Sequence, residues 1–600
     1  MRLTGGQIVA RALKEYGVDY VAGVPGHGIW SLFDAFLAEG SQIPFIQVMH
    51  EQSAVHMADG YFRASGKPMA CSTSIGPGAT NTIIGLATCY TDSIPAFYVS
   101  GGPATHMKGH GVMQELERQQ ENAFPRITEQ VTKRAYKAGR VDELPFIMHR
   151  AFNTMLSGRP GPVHVEVPMD IQTEAADVTI HPLAKRMAVG VAYPDPVAVE
   201  RAAALLLSAE RPVILAGGGA ISANASLALT ALAEKIGAAV STTWNGKGAI
   251  SEDHPLSIGA IGQTGTSCGN KITASADVVM SVGCRFTDWS ASSYRKGASI
   301  SIPPGKLIHI DLDHHEIGKN YATEVGIVAD ARATLEAILA AISDQQAAKA
   351  MNRRERYLGD IHAAKVEWEE MLAPRRDSHE SPFTSQRPLG ALRNVMARDG
   401  IILAGSGNTQ GAVKQTFPVY EPRTHLTSGS FSPMGWAVPA ALGAKLAMPD
   451  RQVVAVVGDG DFMMSLPEMG TAVMNDIPAV FLVQNNRGYM SIRGGQRKFM
   501  GRHVASEFNH HKGNGEPYTA NISEVAKNFG MQAWKVEESD QLEKTLRAAL
   551  DCGAPALVEV TTSRDAAGPF VTGWWDFPSP EYYGKEQEAY AEGRALEQHM

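Results

Sequence analysis

One stretch limits the fold of this 600-residue chain more than any other: Gly458-Asp459-Gly460-Asp461 through Val483-Gln484-Asn485-Asn486. The run Val453-Val454-Ala455-Val456-Val457 before it is mostly β-branched and does not alternate. That predicts a parallel strand buried on both faces and stopped by Gly-Asp-Gly. Residues 466–475 read as helix and residues 478–483 as a second buried strand, so the stretch is a βαβ unit. A right-handed crossover then sets Asp459 and Asn486 at the carboxyl ends of neighbouring strands, where open α/β sheets bind ligands. One carboxylate and one amide oxygen suit a hard cation such as Mg²⁺, which keeps positions for phosphate and water. The competing reading is a Gly-Asp-Gly turn beside a polar loop, with no ligand.

Six hundred residues can hold several cores, and three doubly wound α/β domains with mostly parallel sheets are expected. Residues 1–185 alternate strand-like and helix-like segments, with loops at Val24-Pro25-Gly26-His27-Gly28, His50-Glu51 and Gly76-Pro77-Gly78-Ala79-Thr80-Asn81. Residues 186–345 form a second α/β unit whose first strand runs into Gly217-Gly218-Gly219. Residues 346–385 are charged and helix-prone and read as a solvated linker, and residues 386–572 contain the opening unit. The tail, residues 573–600, carries Trp574, Trp575, Tyr582 and Tyr583; it is too aromatic for a frayed end and is expected to fold back, as a lid or otherwise.

With a formal net charge of −8 and no long basic run, the chain lacks the electrostatic footprint of a nucleic-acid or anionic-membrane partner. The first residues run straight into an amphipathic helix, with neither a signal-peptide core nor a bilayer-length apolar stretch, so a cytoplasmic address is expected. Five cysteines scattered without metal-ligand spacing read as buried reduced thiols.

Glu51 follows an apolar strand and opens a helix. Two readings are open there: a carboxylate favoured by the helix dipole, or a desolvated acid that exchanges a proton with a ring nitrogen. The Gly76-to-Asn81 turn offers close backbone approach and free N–H groups, more than a tight turn needs.

Taken together, Glu51, the Gly76-to-Asn81 turn, Gly458-Asp459-Gly460 and Asn485-Asn486 resemble the thiamine-diphosphate-dependent enzymes of the acetolactate synthase, pyruvate oxidase and 2-keto acid decarboxylase type. The turn and strand over residues 159–168 fit the same family. The resemblance implies that Asp459 and Asn486, with the backbone carbonyl of Gly488, hold Mg²⁺ and through it the diphosphate of thiamine diphosphate. It implies that Glu51 pairs with the aminopyrimidine ring and that Met434 is the apolar wedge beneath the cofactor, where the motif-free reading is a core methionine. Gly76, Asn81, Asn408, Thr409, Gly458, Gly460 and Asp461 complete the expected cofactor contacts. In this family Glu51 would serve a cofactor held by a second chain, which makes a homodimer the minimum and a homotetramer the fuller expectation.

The resemblance also implies substrate-side roles for His27 and Gln114, with His50, His106 and His110 as weaker candidates. Two departures stand out: Met113 replaces an aromatic residue, and Met169 replaces the lysine of a Pro-Lys-Asp strand end. The lost cation argues against strict acetolactate synthesis. Gly217-Gly218-Gly219, Arg285 and Asp311-Leu312-Asp313 match positions that hold FAD in acetolactate synthases and ADP in other relatives, with Arg285 as the expected phosphate contact. The implied activity is C–C bond cleavage and formation on a 2-keto acid or related carbonyl compound. Alternatives on the same scaffold are a non-oxidative decarboxylase, a 1,2-diketone hydrolase and a 2-hydroxyacyl-CoA lyase. A flavin- or nicotinamide-dependent oxidoreductase and a catalytically silent homologue are the alternatives of other classes.

Overall fold

A computed structural model describes all residues except 39, 41, 117–123, 189, 513–514, 567, 579 and 598–600, and it omits the side chains of 582, 585, 586, 596 and 597. The apolar runs form three six-stranded parallel sheets, and a two-stranded antiparallel ribbon pairs Arg2–Thr4 with Ala175–Asp177. In the first sheet the strands lie in the order Phe45–Gln47, Val21–Val24, Ala70–Thr73, Phe97–Gly102, Val163–Pro168, Arg134–Lys137. The third sheet runs His425–Thr427, Ile401–Ala404, Val453–Gly458, Val480–Asn485, Ala556–Thr561, Gln532–Val536. Numbered along the chain, both have the order 2-1-3-4-6-5, so the first and last domains share one topology. The middle sheet is wound 3-2-1-4-5-6, with its switch point between Pro212–Ala216 and Val278–Val282.

The outer domains meet along two helices, Glu51–Ser65 and Ala437–Ala447, whose approach depends on missing side chains. A methyl group on Gly60 would overlap the Ala440 carbonyl, and one on Gly443 would overlap the Met57 carbonyl. One apolar core runs through this crossing, joining Ala54, Met57 and Ala58 to Val438, Ala441 and Leu442. Gly60→Ala is therefore expected to cost about 1–3 kcal/mol, the usual penalty of overpacking. A lowered thermal midpoint checks this, and an unchanged one contradicts the close crossing.

The expected solvated linker is instead part of the middle domain. Glu355–Arg376 is one 22-residue helix, and its Tyr357, Ile361, Ala364, Trp368 and Leu372 are buried in the middle core. Ahead of it Arg354 is 0% exposed and donates to the carbonyls of Ile236, Leu206 and Ala209. The charge density along the opposite face hides a narrow apolar stripe.

Among the described residues, no helix is long and apolar enough to cross a membrane. Four of the cysteines are buried, and burial pushes the thiols of Cys71, Cys89, Cys268 and Cys284 up; Cys552 is exposed.

Candidate active site

In the third domain, parallel pairing of Val453–Gly458 with Val480–Asn485 sets Gly458 opposite Gln484 and brings Asp459 and Asn486 to one sheet edge. Asp459 is 3% exposed. Its Oδ2 accepts the Gly488 N–H at 3.2 Å, which brings Gly488 to the same point. Its Oδ1 has no hydrogen-bond partner, and neither has the buried Oδ1 of Asn486. Two unpaired oxygens on neighbouring strand ends are hard donors that could hold a divalent cation. Burial raises the Asp459 carboxyl to about 6, against the backbone N–H bonds that lower it.

The neighbouring Asn485 ties its amide Nδ2 to the protein, while its own Oδ1 is also without a partner. Asn485 donates to Glu559 at 2.8 Å and to Thr519 at 3.0 Å, while Arg564 holds the Asn486 carbonyl at 3.2 Å. Beside this edge, Gly407 at φ +80° turns the chain into the helix Asn408–Thr416. Its first turn offers unpaired N–H groups to an anion, with Thr409 near Gly458. Met434 lies between Pro433 and Gly435, and Gly435 adopts φ +83°. Asp461 is buried and spends both oxygens on loop N–H groups, Ser406 at 2.8 Å and Gly435 at 2.5 Å. Burial raises its carboxyl to about 6 as well.

In the first domain, His27, Glu51 and the Gly76-to-Asn81 turn stand at the carboxyl ends of three adjacent strands. Glu51 begins its helix, and Oε2 accepts from Asn81 Nδ2 at 2.9 Å. Asn81 thus serves Glu51 directly. A side chain on Gly78 would crowd Glu51 Oε1 at 3.1 Å, and one on Gly76, at φ +56°, would overlap the Gln114 carbonyl. Gln114 therefore rests on the glycine turn next to Glu51. His27 opens a short turn tied to the same loop by the Gly28 N–H bond to Ser74 Oγ at 3.2 Å.

His50 caps the Glu51 helix, accepting from Gln52 N. His106 lies 3.9 Å from Asp170, and His110 is exposed. Met169 starts the helix after Val163–Pro168, and Asp170 beside it anchors Thr105.

Sequence reasoning misses Glu468. This buried carboxylate of the third domain accepts from the N–H groups of Met49 and His50 at 3.1–3.3 Å, directly ahead of Glu51. Only its spacing after Gly-Asp-Gly, in a helical pattern, hinted at it.

A cavity of about 1090 Å³ runs from the switch point of the middle sheet to the third domain. Gly218, Gly219 and Asp311 line one end, and Asn408, Ser430 and Met490 the other. The glycines let the switch-point loops touch, since a methyl on Gly217 would overlap the Gly283 carbonyl. Arg285 lies on the cavity wall but is engaged by the first domain: it donates to the Thr91 carbonyl and to Asp92 at 3.1 Å. Arg63 and Asn245 share that carboxylate.

The start of the tail packs against the cavity wall. Trp575 packs on Trp289 at 5.1 Å, Trp574 lies under Arg295 at 3.9 Å, and both line the cavity. The Tyr582 side chain lies outside the described residues.

Three family models match the chain: the thiamine pyrophosphate enzyme N-terminal TPP binding domain over residues 3–122, the central domain over 199–338 and the C-terminal TPP binding domain over 405–560. Together with the sheet-edge site they define a thiamine pyrophosphate enzyme. Among curated proteins, the probable acetolactate synthase large subunit of Methanocaldococcus jannaschii is 33% identical, with 95% of this chain and 93% of that protein covered. The large subunit of acetolactate synthase isozyme 1 of Escherichia coli is 31% identical, with 93% and 94% covered. The acetolactate synthase large subunit of Parasynechococcus marenigrum is 33% identical, with 94% and 88% covered. The chain belongs to the thiamine-pyrophosphate-dependent enzyme family of the acetolactate synthase large-subunit type.

Proposed function

We propose that this enzyme requires Mg²⁺ with thiamine diphosphate and cleaves and forms C–C bonds on a 2-keto acid or related carbonyl compound, as a carboligase or lyase. The observation that carries the reading is the pair of unpaired oxygens, Asp459 Oδ1 and Asn486 Oδ1, beside the Asn408 helix start. Asp459, Asn486 and the Gly488 carbonyl would hold the ion, and the Asn408–Thr409 N–H groups the diphosphate. Glu51, oriented by Asn81, would exchange a proton with the aminopyrimidine ring. Bound there, thiamine diphosphate supplies an electron sink for the carbon whose bond is broken.

Glu51 makes its hydrogen bond within its own domain, and we read its cofactor as one held by a second copy of the chain. The working unit is then a homodimer at least, and we propose a homotetramer. His27 and Gln114 would face the substrate.

Met169 stands where the family resemblance implies a lysine, and without that cation we read the second substrate as a carbonyl compound other than an acidic 2-keto acid. The 1090 Å³ cavity at a doubly wound switch point fits a dinucleotide, and we propose FAD there, with ADP as the smaller alternative. An oxidoreductase reading would require that flavin to be reduced by substrate during turnover.

Incubation with pyruvate, thiamine diphosphate, Mg²⁺ and an aldehyde acceptor, followed by mass analysis, tests the proposal. A C–C coupled product is expected. Acetaldehyde without any coupled product would overturn the carboligase reading in favour of a decarboxylase.

A further inference from the structure

We propose that Asp461 is a positioning residue that fixes the place of Met434 by clasping the two loops around it; the inference rests on the thiamine diphosphate reading above. Asp459 and Asp461 belong to one motif and are both buried, but their oxygens are used differently. Asp459 keeps an oxygen unpaired and available to a metal. Asp461 keeps none, because Oδ1 accepts the Gly435 N–H at 2.5 Å and Oδ2 accepts the Ser406 N–H at 2.8 Å. Both of its carboxylate oxygens are therefore tied to the protein scaffold.

The two donors come from different strand ends. Ser406 follows Ile401–Ala404, and Gly435 follows the loop after His425–Thr427. Ser406 extends the clasp: its Oγ lies 2.8 Å from the Pro433 carbonyl and 2.9 Å from that of Ser432. The peptide groups on both sides of Met434 thus end on one carboxylate, the Gly435 N–H directly and the Pro433 carbonyl through Ser406.

The backbone needs such a hold. Ser432 at φ +46° and Gly435 at φ +83° are left-handed, a conformation costly for a serine. Gly405 leaves the room, since a methyl there would overlap Asp461 Oδ2. The geometry also requires a carboxylate. Two N–H groups converge on two oxygens, and an amide would turn its NH₂ against one of them, leaving a buried donor unpaired.

A wedge moved by a fraction of an ångström misaligns the reacting ring even while the diphosphate stays bound by the ion. Loss of the clasp is therefore expected in the chemistry more than in binding. The test compares wild type, Asp461→Asn and Ser406→Ala as full-length protein. Thiamine diphosphate affinity is measured by titration calorimetry in Mg²⁺. At saturating cofactor, the near-ultraviolet circular dichroism of the bound cofactor and hydrogen–deuterium exchange at its thiazolium C2 are recorded.

Asp461→Asn is expected to lower kcat and the C2 exchange rate by on the order of 100-fold, the cost of a small misplacement. Its bound-cofactor dichroism should change, and affinity should fall far less. Ser406→Ala should shift the same observables in the same direction by less. Wild-type exchange and dichroism in a folded, saturated Asp461→Asn protein would overturn the clasp. If that variant is not recovered folded, the same wild-type behaviour in Ser406→Ala overturns it. A wild-type protein that binds no thiamine diphosphate overturns the cofactor reading and the clasp together.

Discussion

Glu51→Gln is expected to leave the protein folded and able to bind its cofactor while lowering turnover by about 10²–10⁴-fold, the range of a lost general acid–base group. Glutamine keeps the length of the side chain and can still meet Asn81 Nδ2 through its amide oxygen, so the 2.9 Å contact that orients residue 51 survives. It cannot gain or lose a proton at that oxygen. The first-domain loops are held independently, with Glu468 fixing the Met49 and His50 N–H groups. The damage should therefore stay in kcat, measured at saturating cofactor, with a near wild-type melting temperature. Wild-type turnover would refute the proton-exchange role.

Asp459→Ala should act at the opposite end of the site. It removes the unpaired Oδ1 and the Oδ2 that accepts the Gly488 N–H. Both the ion and the placement of its neighbouring carbonyl suffer. Cofactor affinity in Mg²⁺ should fall by more than the roughly 10–100-fold that loss of an outer-shell partner costs. Titration calorimetry checks this, and unchanged affinity contradicts the metal assignment. If Glu51 serves a cofactor held by another copy, co-expression of the Glu51→Gln and Asp459→Ala chains should recover turnover that neither variant has alone. No recovery in mixed oligomers would place both groups in one chain.

The parts of this architecture legible in the sequence are those built from local pattern. Unbroken, β-branched apolar runs stopped by glycine, such as residues 453–457, read as buried parallel strands, and the loops that end them carry Glu51, Asp459 and Asn486 to sheet edges. What escapes is set by long-range partners. The common 2-1-3-4-6-5 order of the outer sheets depends on which strands pair across the chain. Glu468 acts on the His50 N–H 418 residues away, so its local spacing after Gly-Asp-Gly does not reveal its partner. Asp461 reads as a cofactor contact because it shares a motif with Asp459, and only the positions of Ser406 and Gly435 distinguish the two. Arg285 reads as a phosphate contact by its place in Gly283-Cys284-Arg285, whereas its guanidinium meets the Asp92 carboxylate of another domain. In residues 355–376 the charged face outnumbers the apolar stripe, so composition misleads where a helical projection of Tyr357, Ile361, Ala364, Trp368 and Leu372 does not.

A calorimetric titration of the wild-type protein with thiamine diphosphate, with and without Mg²⁺, probes the proposed metal-held cofactor site most directly. Saturable binding of one cofactor per chain that depends on the metal is expected. Binding of equal strength in the presence of a chelator, or none with Mg²⁺ present, would contradict it.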